Sequence, residues 1–385
     1  MARVRSGQQL SETPSRVVSI RVRSPYAQID LWETEMRTIR LAITGFGNVG
    51  TGIAILLRDR GQEYRERYGL ELMITGVADR GGAVTHPDGL DPADLLSVKR
   101  EQATVAESSL GHVGLRGERF LDLAAADVLL ETASTSFEDA EPGWSYVRQA
   151  LRRDMDVVLA SKGALALYWD QLTAEARENG RIVNFSATVG APLPAVEIAR
   201  WALPGVAIRG FEGILNGTSN TILTLMAQGA TYEEGVQRAQ EIGIAETDPT
   251  LDVDGWDAAA KVVIVANAVL GCSLRLDDVR REGIRNITRK EIQSASEEGQ
   301  VIKLIARAMR TPEGLRAEVA PQRRSHADSL GRLHGGDIGI VFVTDLYGDV
   351  SATVENADHQ GAIPTSMTVL RDVINLARER SWTSE

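Results

Sequence analysis

The stretch of the chain that is richest in reactive groups is AETDPTLDVDGWDAAAK, residues 245–261. It contains six ionisable side chains, namely Glu246, Asp248, Asp252, Asp254, Asp257 and Lys261. The apolar run VVIVANAVLG follows directly, so the pattern predicts that these charges lie at the start of a buried helix. Carboxylates in such a position can bind a metal ion, cap a helix or bind a cationic substrate.

Asp257 and Lys261 are four residues apart, so a helix would place them on the same face. On a solvated helix such a pair contributes only about 0.3–0.5 kcal/mol, but a buried lysine requires a partner or a chemical role. Proton donation to a developing alkoxide is one such role. Asp248 precedes a proline and is typical of a turn. Asp254 is placed to cap the helix, whereas Glu246 has no structural reason of either kind.

A second candidate site is the glycine motif GFGNVG, which begins at Gly45 and follows the apolar strand TIRLAIT. In a dinucleotide-binding βαβ unit, Gly45 would make the tight turn, Gly47 would admit the pyrophosphate and Gly50 would let the helix pack closely. Asn48 and Val49 would open that helix, whose free N–H groups bind phosphate. A glycine-rich turn without a ligand is the alternative, but the flanking strand and helical pattern favour a dinucleotide site.

The next predicted strand, ELMITGVADR, ends in Asp79 and Arg80. An acid at this point binds the ribose hydroxyls of NAD and repels the 2′-phosphate of NADP, whereas an arginine binds that phosphate. Asp79 lies 29 residues after Gly50, further than the usual ~20, because a long charged helix intervenes. The pair predicts NAD or NADP as cofactor and leaves the preference open, and an ordinary strand-end acid remains the alternative for Asp79.

Strands alternate with helical patterns up to residue 188, which predicts a Rossmann-type α/β domain with a parallel sheet. Lys162 follows the strand MDVVLAS, at the edge where such sheets bind ligands; a solvated turn lysine is the alternative. Long helical patterns, beginning at 193–203, then mix with strand-like segments and predict a second α+β domain with a mixed sheet. The predicted division is a disordered arm (1–37), a dinucleotide-binding domain (38–188), a substrate-binding and dimerisation domain (189–350) and a C-terminal segment returning to the first domain (351–385).

Composition excludes several classes of partner. The 385 residues carry a formal net charge of −11, which disfavours nucleic acid and anionic membranes. Cys272 is the only cysteine, so an intrachain disulfide is impossible and a reducing, cytoplasmic location is expected. No apolar run is long enough to span a bilayer. The expected partner is therefore a small-molecule substrate.

Taken together, the motifs resemble the homoserine dehydrogenase family over residues 38–375. The resemblance rests on GFGNVG, DVVLASKGALA, SATVGAPLP, GILNGTSNTIL, AETDPTLDVDGWDAAAK, RKEIQ and GAIPTS. It implies NAD(P)-dependent interconversion of L-aspartate 4-semialdehyde and L-homoserine by hydride transfer, in threonine, methionine and isoleucine biosynthesis. It also implies that the chain forms homodimers or homotetramers through the mixed sheet.

The resemblance further implies a role for each chemical group. Lys162 and Lys261 would lie at the reacting oxygen, Lys162 also near the cofactor, with Lys261 as the proton donor. Asp257 would orient Lys261 and the substrate. Glu246 would bind the ammonium group of the substrate, and Asp252 would line the same site.

Two loops complete the expected site. Gly217 and Thr218 belong to the family's substrate-binding loop, and Gly361 belongs to the loop that returns to the cofactor. Because the chain ends soon after the helix that follows residue 364, no regulatory ACT-type domain is expected. Three alternatives stay open: a dehydrogenase of another amino aldehyde or hydroxy acid, a non-catalytic dinucleotide sensor, and an acyl-enzyme dehydrogenase. The last needs a nucleophilic cysteine, and Cys272 has no cationic motif around it.

One expected ion site departs from the family pattern. The family is thought to hold sodium with a glutamate that precedes ATVGAG and with backbone carbonyls. Here that position is Ser186, and Pro192 replaces the last glycine of the motif. The only charged ligand is therefore lost, and the backbone oxygens of Val189, Ala191 and Leu193 would be the remaining ligands.

Overall fold

The computed structural model describes residues 36–355 and 361–382. Residues 1–35, nearly all of the predicted disordered arm, lie outside this description. The first strand begins at Arg37, which is the last residue assigned to the arm. The ordered sheet therefore starts one residue earlier than the sequence pattern predicts.

The first sheet is assembled from the amino-terminal half of the described chain. Its strands are β1 (Arg37–Thr44), β2 (Leu70–Ala78), β3 (Gly82–Thr85), β4 (Gly111–Val113), β5 (Val128–Glu131), β6 (Asp156–Leu159) and β7 (Val183–Asn184). They lie in the order β4-β3-β2-β1-β5-β6-β7. The five neighbouring strands β2, β1, β5, β6 and β7 pair in parallel. At the edge next to β2, strands β3 and β4 pair antiparallel. The strand order runs outward from β1 in both directions, so the carboxyl ends of β1 and β5 form the topological switch point at which sheets of this kind bind ligands.

Helices cover both faces of this sheet. They are α1 (Asn48–Tyr68), α2 (Pro92–Gln102), α3 (Gly117–Ala124), α4 (Gly143–Leu151), α5 (Gly163–Leu167) and α6 (Trp169–Glu178). Side-chain alternation in β1 explains how one strand serves two layers. Leu41 and Ile43 belong to the apolar core beneath α1, whereas Ala42 faces a second core that continues into the next domain.

The second sheet is mixed. Its strands are β8 (Ile208–Ile214), β9 (Arg280–Arg281), β10 (Gln300–Thr311), β11 (Gly314–Ser325), β12 (Ile338–Thr344) and β13 (Asp349–Val354). The order is β13-β12-β8-β10-β11-β9, antiparallel except between β9 and β11. The predicted combination of a Rossmann-type parallel sheet with a second mixed sheet is confirmed. Strand β13 extends this sheet beyond the predicted boundary at residue 350, because it pairs with β12 as a hairpin.

The helices of this region are α7 (Ala195–Glu197), α8 (Gly217–Ala227), α9 (Tyr232–Glu241), α10 (Thr250–Val253), α11 (Trp256–Leu270) and α12 (Arg289–Glu297). The prediction of one regular helix over 193–203 is wrong. Helix α7 passes into a π-helical turn at Ile198–Ala202, in which no residue is buried. By contrast, α11 is buried along most of its length, as its apolar sequence predicts.

The last helix, α13 (Ile363–Trp382), brings the chain back to the first sheet. It packs against α1, and Val369, Leu370 and Val373 join the core beneath that helix. Arg380 pairs with Asp156 at the start of β6. No helix within the described ranges is both long and apolar enough to cross a membrane.

Candidate active site

The glycine motif forms a backbone cradle between β1 and α1. Gly45 has φ +88°, and a Cβ there would lie 2.6 Å from the backbone nitrogen of Ala133. A Cβ on Gly50 would collide with the carbonyl oxygen of Gly45. A Cβ on Gly47, however, would meet no atom within 4 Å. The cradle is thus closed on the protein side and open where a pyrophosphate would approach, so the residues present fit a dinucleotide.

The C-terminal helix completes this cradle. The Ser366 hydroxyl donates a hydrogen bond to the Val49 carbonyl oxygen at 2.9 Å. This contact ties α13 to the first turn of α1, which begins at Asn48. Gly361, the residue that the sequence indicates for this region, lies in the exposed turn before α13 with φ +58°. Sequence reasoning did not single out Ser366, although it lies in the motif GAIPTS.

The carboxylate of Asp79 is already fully engaged by the protein. It accepts hydrogen bonds from Lys99 Nζ at 2.7 Å and from Thr104 Oγ1 at 2.6 Å. The backbone N–H groups of Gly81 and Val105 donate at 2.9 and 3.1 Å. Burial alone would raise the pKa of Asp79, but these hydrogen bonds lower it below its ordinary value. Its neighbour Arg80 is exposed. Asp79 could therefore bind a ribose hydroxyl only by sharing or losing one of these donors.

Lys162 lies between β6 and α5, at the carboxyl edge of the first sheet. Its backbone N–H donates to Thr135 Oγ1 at 3.1 Å. Its ammonium group lies 3.4 Å from Asp257 Oδ1, on a helix of the second domain. Lys162 is thus not a solvated turn residue, because its side chain connects the region of the first sheet to a helix of the region that contains the second sheet.

Lys261 reaches the same carboxylate from the other side. Its Nζ lies 2.7 Å from Asp257 Oδ2 and donates to the Leu215 carbonyl oxygen at 2.6 Å. The Lys261 side chain is only 10% exposed, which excludes the solvated surface pair as an explanation. Asp254, by contrast, does not cap α11. It pairs with Arg285, and the helix begins after Gly255, which has φ +79°.

Asn216 organises the acids and was not singled out by the sequence patterns. Its Nδ2 donates to Asp252 Oδ1 at 2.6 Å and to Asp257 Oδ2 at 2.8 Å. Its Oδ1 accepts from the Ser219 backbone N–H at 2.8 Å, which caps α8. An asparagine before a helical pattern signals such a cap, but its second role depends on contacts that are distant in sequence. Lys162, Lys261, Asp257, Asp252 and Asn216 together are called the lysine–aspartate cluster below.

The two acids of the lysine–aspartate cluster have pKa shifts in opposite directions. Burial opposes ionisation of Asp257, but the nearby charges of Lys261 and Lys162 and the hydrogen bonds from Lys261 and Asn216 lower its pKa strongly. The pKa of Asp252 is shifted upward instead, because burial and the charge of Asp257 both disfavour its ionisation. Asp257 is therefore a permanent anion that holds two ammonium groups at one edge of the crevice. Such a pair of cations can stabilise a developing alkoxide, and one of them can give it a proton.

The remaining predicted substrate residues lie beside the lysine–aspartate cluster or at the surface. Gly217 is the first residue of α8, and Thr218 Oγ1 donates to the Ile244 carbonyl oxygen at 3.2 Å. This contact fixes the segment that leads to Glu246. The Glu246 side chain is exposed, and its carboxylate has no hydrogen bond or ion pair within the described part of the chain. Asp248 forms the predicted turn by accepting from the Thr250 N–H at 3.1 Å.

The predicted sodium ligands are a poor fit for that ion. Ser186 contributes no charge, and its backbone N–H donates at 2.8 Å to Asp372, a buried acid of α13. Burial raises the pKa of Asp372 to about 6. Among the three expected carbonyls, those of Val189, Ala191 and Leu193, the last already accepts the N–H two residues further on at 2.9 Å. No step of the mechanism proposed below uses sodium.

Fold and site together define a class of protein. A parallel sheet carries a glycine-rich backbone cradle at its switch point, and two lysines, one from each sheet's region, meet on one aspartate beside the same edge. This combination is typical of oxidoreductases that transfer a hydride between a nicotinamide dinucleotide and a small substrate.

Comparison with known proteins identifies the family within this class. Residues 45–186 match the model of the homoserine dehydrogenase NAD-binding domain, and residues 194–374 match the homoserine dehydrogenase model. The NAD(+)-dependent homoserine dehydrogenase of Pseudomonas canavaninivorans is 36% identical over 89% of this chain and 97% of its own length. The homoserine dehydrogenase of Methanocaldococcus jannaschii is 33% identical over 87% and 98%.

A solved structure agrees with these relatives. The putative homoserine dehydrogenase of Archaeoglobus fulgidus superposes with a TM-score of 0.77 at 33% identity, over 88% of this chain and 99% of its own. The chain belongs to the homoserine dehydrogenase family. It is an NAD(P)-dependent oxidoreductase, and its cofactor is NAD or NADP.

Proposed function

We propose that this enzyme interconverts L-aspartate 4-semialdehyde and L-homoserine by hydride transfer with NAD or NADP. The observation that carries the proposal is the meeting of Lys162 and Lys261 on the two oxygens of Asp257, at 3.4 and 2.7 Å. This arrangement places two ammonium groups at the carboxyl edge of the sheet that carries the cradle. An aldehyde oxygen bound there would face both cations.

The two lysines divide the work at the oxygen. When bound, the reduced nicotinamide supplies a hydride to the aldehyde carbon, and negative charge develops on the oxygen. Lys261 gives that oxygen a proton, and Lys162 stabilises the charge as it forms. Asp257 keeps both ammonium groups in place, because each is paired to a separate carboxylate oxygen. In the oxidative direction Lys261 receives the proton from the hydroxyl of homoserine.

Glu246 and the acids of the lysine–aspartate cluster together suit a zwitterionic substrate. The ammonium group of homoserine requires a carboxylate, and we assign that role to Glu246, with Asp252 lining the same site. The Glu246 carboxylate has no hydrogen-bond or ion-pair partner within the described residues, which supports the assignment, because a ligand would not have to displace an existing partner. Asp252 differs, since Asn216 already holds one of its oxygens.

We infer that the enzyme accepts both coenzymes. A free acid at position 79 would favour NAD, but Asp79 is engaged by four donors and its charge is balanced by Lys99. Lys99 and the exposed Arg80 are cations close to the place where a 2′-phosphate would lie. The Pseudomonas canavaninivorans relative is named as NAD(+)-dependent, so activity with NAD is expected as well.

Initial rates of L-homoserine oxidation at alkaline pH, with NAD and with NADP, test this function. Nicotinamide reduction with at least one coenzyme is expected. L-Serine and 4-hydroxybutyrate are the matched controls, since one lacks the longer chain and the other lacks the ammonium group. Failure of both coenzymes with homoserine, or a higher kcat/KM with either control compound, would contradict the proposal.

Location and assembly follow from the same reasoning. We propose a cytoplasmic enzyme, because the single cysteine and the acidic composition suit a reducing compartment without membrane contact. We also propose that residues 38–188 bind the dinucleotide, that residues 189–350 bind substrate, and that the mixed sheet of this second region pairs two subunits. Sedimentation at micromolar concentration should give a dimer or tetramer, and a monomer would refute the pairing.

A further inference from the structure

A buried acid that the proposed mechanism does not use lies at the carboxyl end of β5. The side chain of Glu131 is fully buried. Its Oε1 accepts the Ala133 N–H at 2.9 Å, and its Oε2 accepts a short hydrogen bond from the Ser161 hydroxyl. Gly143 of α4 leaves room for this carboxylate, since a Cβ there would lie 3.0 Å from it.

Within residues 36–355 and 361–382, no cation pairs with this carboxylate. The charged residues on the elements packed around Glu131 bond to other partners. On the strands and the turn after β6, Arg40 pairs with Asp127, Asp156 with Arg380 and Lys162 with Asp257. At α4, Arg148 pairs with Glu175, and Glu141 accepts from the Ser145 hydroxyl. Burial is therefore the largest influence and raises the pKa of Glu131 to about 7, although hydrogen bonds from Ser161 and Ala133 oppose the rise.

The contacts of Glu131 lead directly to a lysine of the lysine–aspartate cluster. Ser161 is the residue before Lys162. The backbone N–H of Lys162 donates to Thr135 Oγ1 at 3.1 Å, in the loop whose start is fixed by the bond between Ala133 and Glu131. The turn that carries Lys162 is thus attached to the segment 131–135 by two side-chain contacts and also by the Ala160 N–H, which donates to the Glu131 carbonyl oxygen at 2.8 Å.

We propose that Glu131 is a positioning residue for Lys162, holding Ser161 in place and so directing the Lys162 ammonium group, and that its protonation weakens this hold. This role deepens the proposed function and rests on it. In the ionised form, Glu131 accepts the Ser161 O–H in a charge-assisted bond, which is stronger than a neutral one. In the protonated form, the carboxylic acid must use its own O–H, and the bond to Ser161 becomes neutral.

Glu131→Gln reproduces the protonated form at every pH. The amide oxygen can accept the Ala133 N–H, and the amide nitrogen can donate to Ser161 Oγ, so the shape of the site is kept. The folded-state pKa of Glu131 lies above the ordinary value of 4.5. The contribution of this group to stability is therefore greatest below pH 4.5 and is lost as the pH rises through about 7.

The test compares kcat for homoserine oxidation between pH 5.5 and 9 in the wild-type enzyme, Glu131→Gln, Ser161→Ala and the double variant. The ratio of the wild-type kcat to the kcat of Glu131→Gln should rise from near one at low pH to about fivefold above pH 8. This factor reflects the difference in strength between a charge-assisted and a neutral hydrogen bond. The KM for the coenzyme should not change. Because Glu131 acts through Ser161, the double variant should lose no more than Ser161→Ala alone.

A measurement without substrate accompanies the kinetics. The melting temperature of Glu131→Gln should exceed that of the wild type by an amount that grows from pH 5 to about pH 7 and then levels off. A kinetic ratio that stays constant with pH, or losses that multiply in the double variant, would overturn the role of Glu131. Absence of homoserine oxidation by the wild type would instead overturn the proposed function, so the two failures are distinguishable.

Discussion

The glycine motif (residues 45–50) and the lysine–aspartate cluster are built in opposite ways. The motif is six consecutive residues, and its useful groups are backbone N–H groups and empty space at Gly47. The cluster draws its members from a strand end, a helix cap and two helices, and its useful groups are side-chain charges. Asp257 links them, with Lys162 and Lys261 on opposite oxygens.

This contrast predicts which property a substitution in each site should impair. A backbone cradle is indifferent to charge and sensitive to added volume, so its damage should appear in coenzyme binding. A cluster of charges is sensitive to the loss of a single proton or cation, so its damage should appear in turnover. Substitutions in the two sites should therefore separate coenzyme binding from turnover.

Lys261→Met should reduce kcat by at least about 100-fold, the low end for a general acid. The cation stabilises an oxygen that becomes negative only as hydride arrives, so it acts mainly in the transition state. Coenzyme affinity, measured by fluorescence titration, should stay nearly unchanged. Lys303→Met is the matched control, since Lys303 of β10 is also buried but bonds to Asn220 of α8 and to the Leu333 carbonyl oxygen in the loop before β12.

The control should lower the melting temperature while keeping most of the turnover. If Lys261→Met keeps near-normal turnover instead, Lys261 is only a structural partner of Asp257. Lys162 would then be the better candidate for the acid.

Gly50→Ala and Gly47→Ala form a matched pair at the cradle. The added methyl group on Gly50 meets the Gly45 carbonyl oxygen, so it should destabilise the fold by about 1–3 kcal/mol and weaken coenzyme binding. The methyl group on Gly47 meets only open space, so stability should change by less than about 0.5 kcal/mol. Coenzyme KM should nevertheless rise about tenfold, because the methyl group obstructs the pyrophosphate. Equal melting temperatures for the two variants would disprove this distinction.

Glu246→Gln should raise the KM for homoserine about tenfold, the range of a charge-assisted hydrogen bond, and should change kcat less. The carboxylate would hold the ammonium group equally in the ground and transition states, which affects KM rather than turnover. Asp248→Asn is the control, because that acid only closes a turn with Thr250. A Glu246 variant with unchanged KM would remove this residue from the substrate site.

Lys99→Ala should shift the coenzyme preference by about three- to fivefold toward NAD, the scale of a partly exposed ion pair. Two effects act in the same direction. The variant loses a cation near the 2′-phosphate, and it frees Asp79 to accept a ribose hydroxyl and to repel that phosphate. The ratio of kcat/KM with NADP to that with NAD measures the shift, with the exposed Lys290→Ala as control. An unchanged ratio would place the 2′-phosphate elsewhere.

Much of the fold could be predicted because its signals are local. The β-branched strand before the glycine motif, the motif itself and the helical pattern after it lie in adjacent residues, so sterics and hydrogen bonding define the βαβ unit within one short segment. The spacing of Asp257 and Lys261 likewise predicts that they share a helix face, and the structure places them 2.7 Å apart. The π-helical turn at Ile198–Ala202 could not be predicted, since its apolar spacing matches a regular helix.

The groups that could do chemistry can thus be read from the residues alone: a glycine-rich turn suited to phosphate, a lysine paired with an aspartate, and acids that could bind the ammonium group of a substrate. Their partners and charge states depend on the folded chain. The tertiary structure brought Lys162 to Asp257, gave Asn216 its second role, engaged Asp79 with four donors and buried Glu131 without a cationic partner among the described residues. The reason is physical: backbone conformation follows from neighbouring residues, whereas the charge state and direction of a side chain depend on burial and on partners that are remote in sequence.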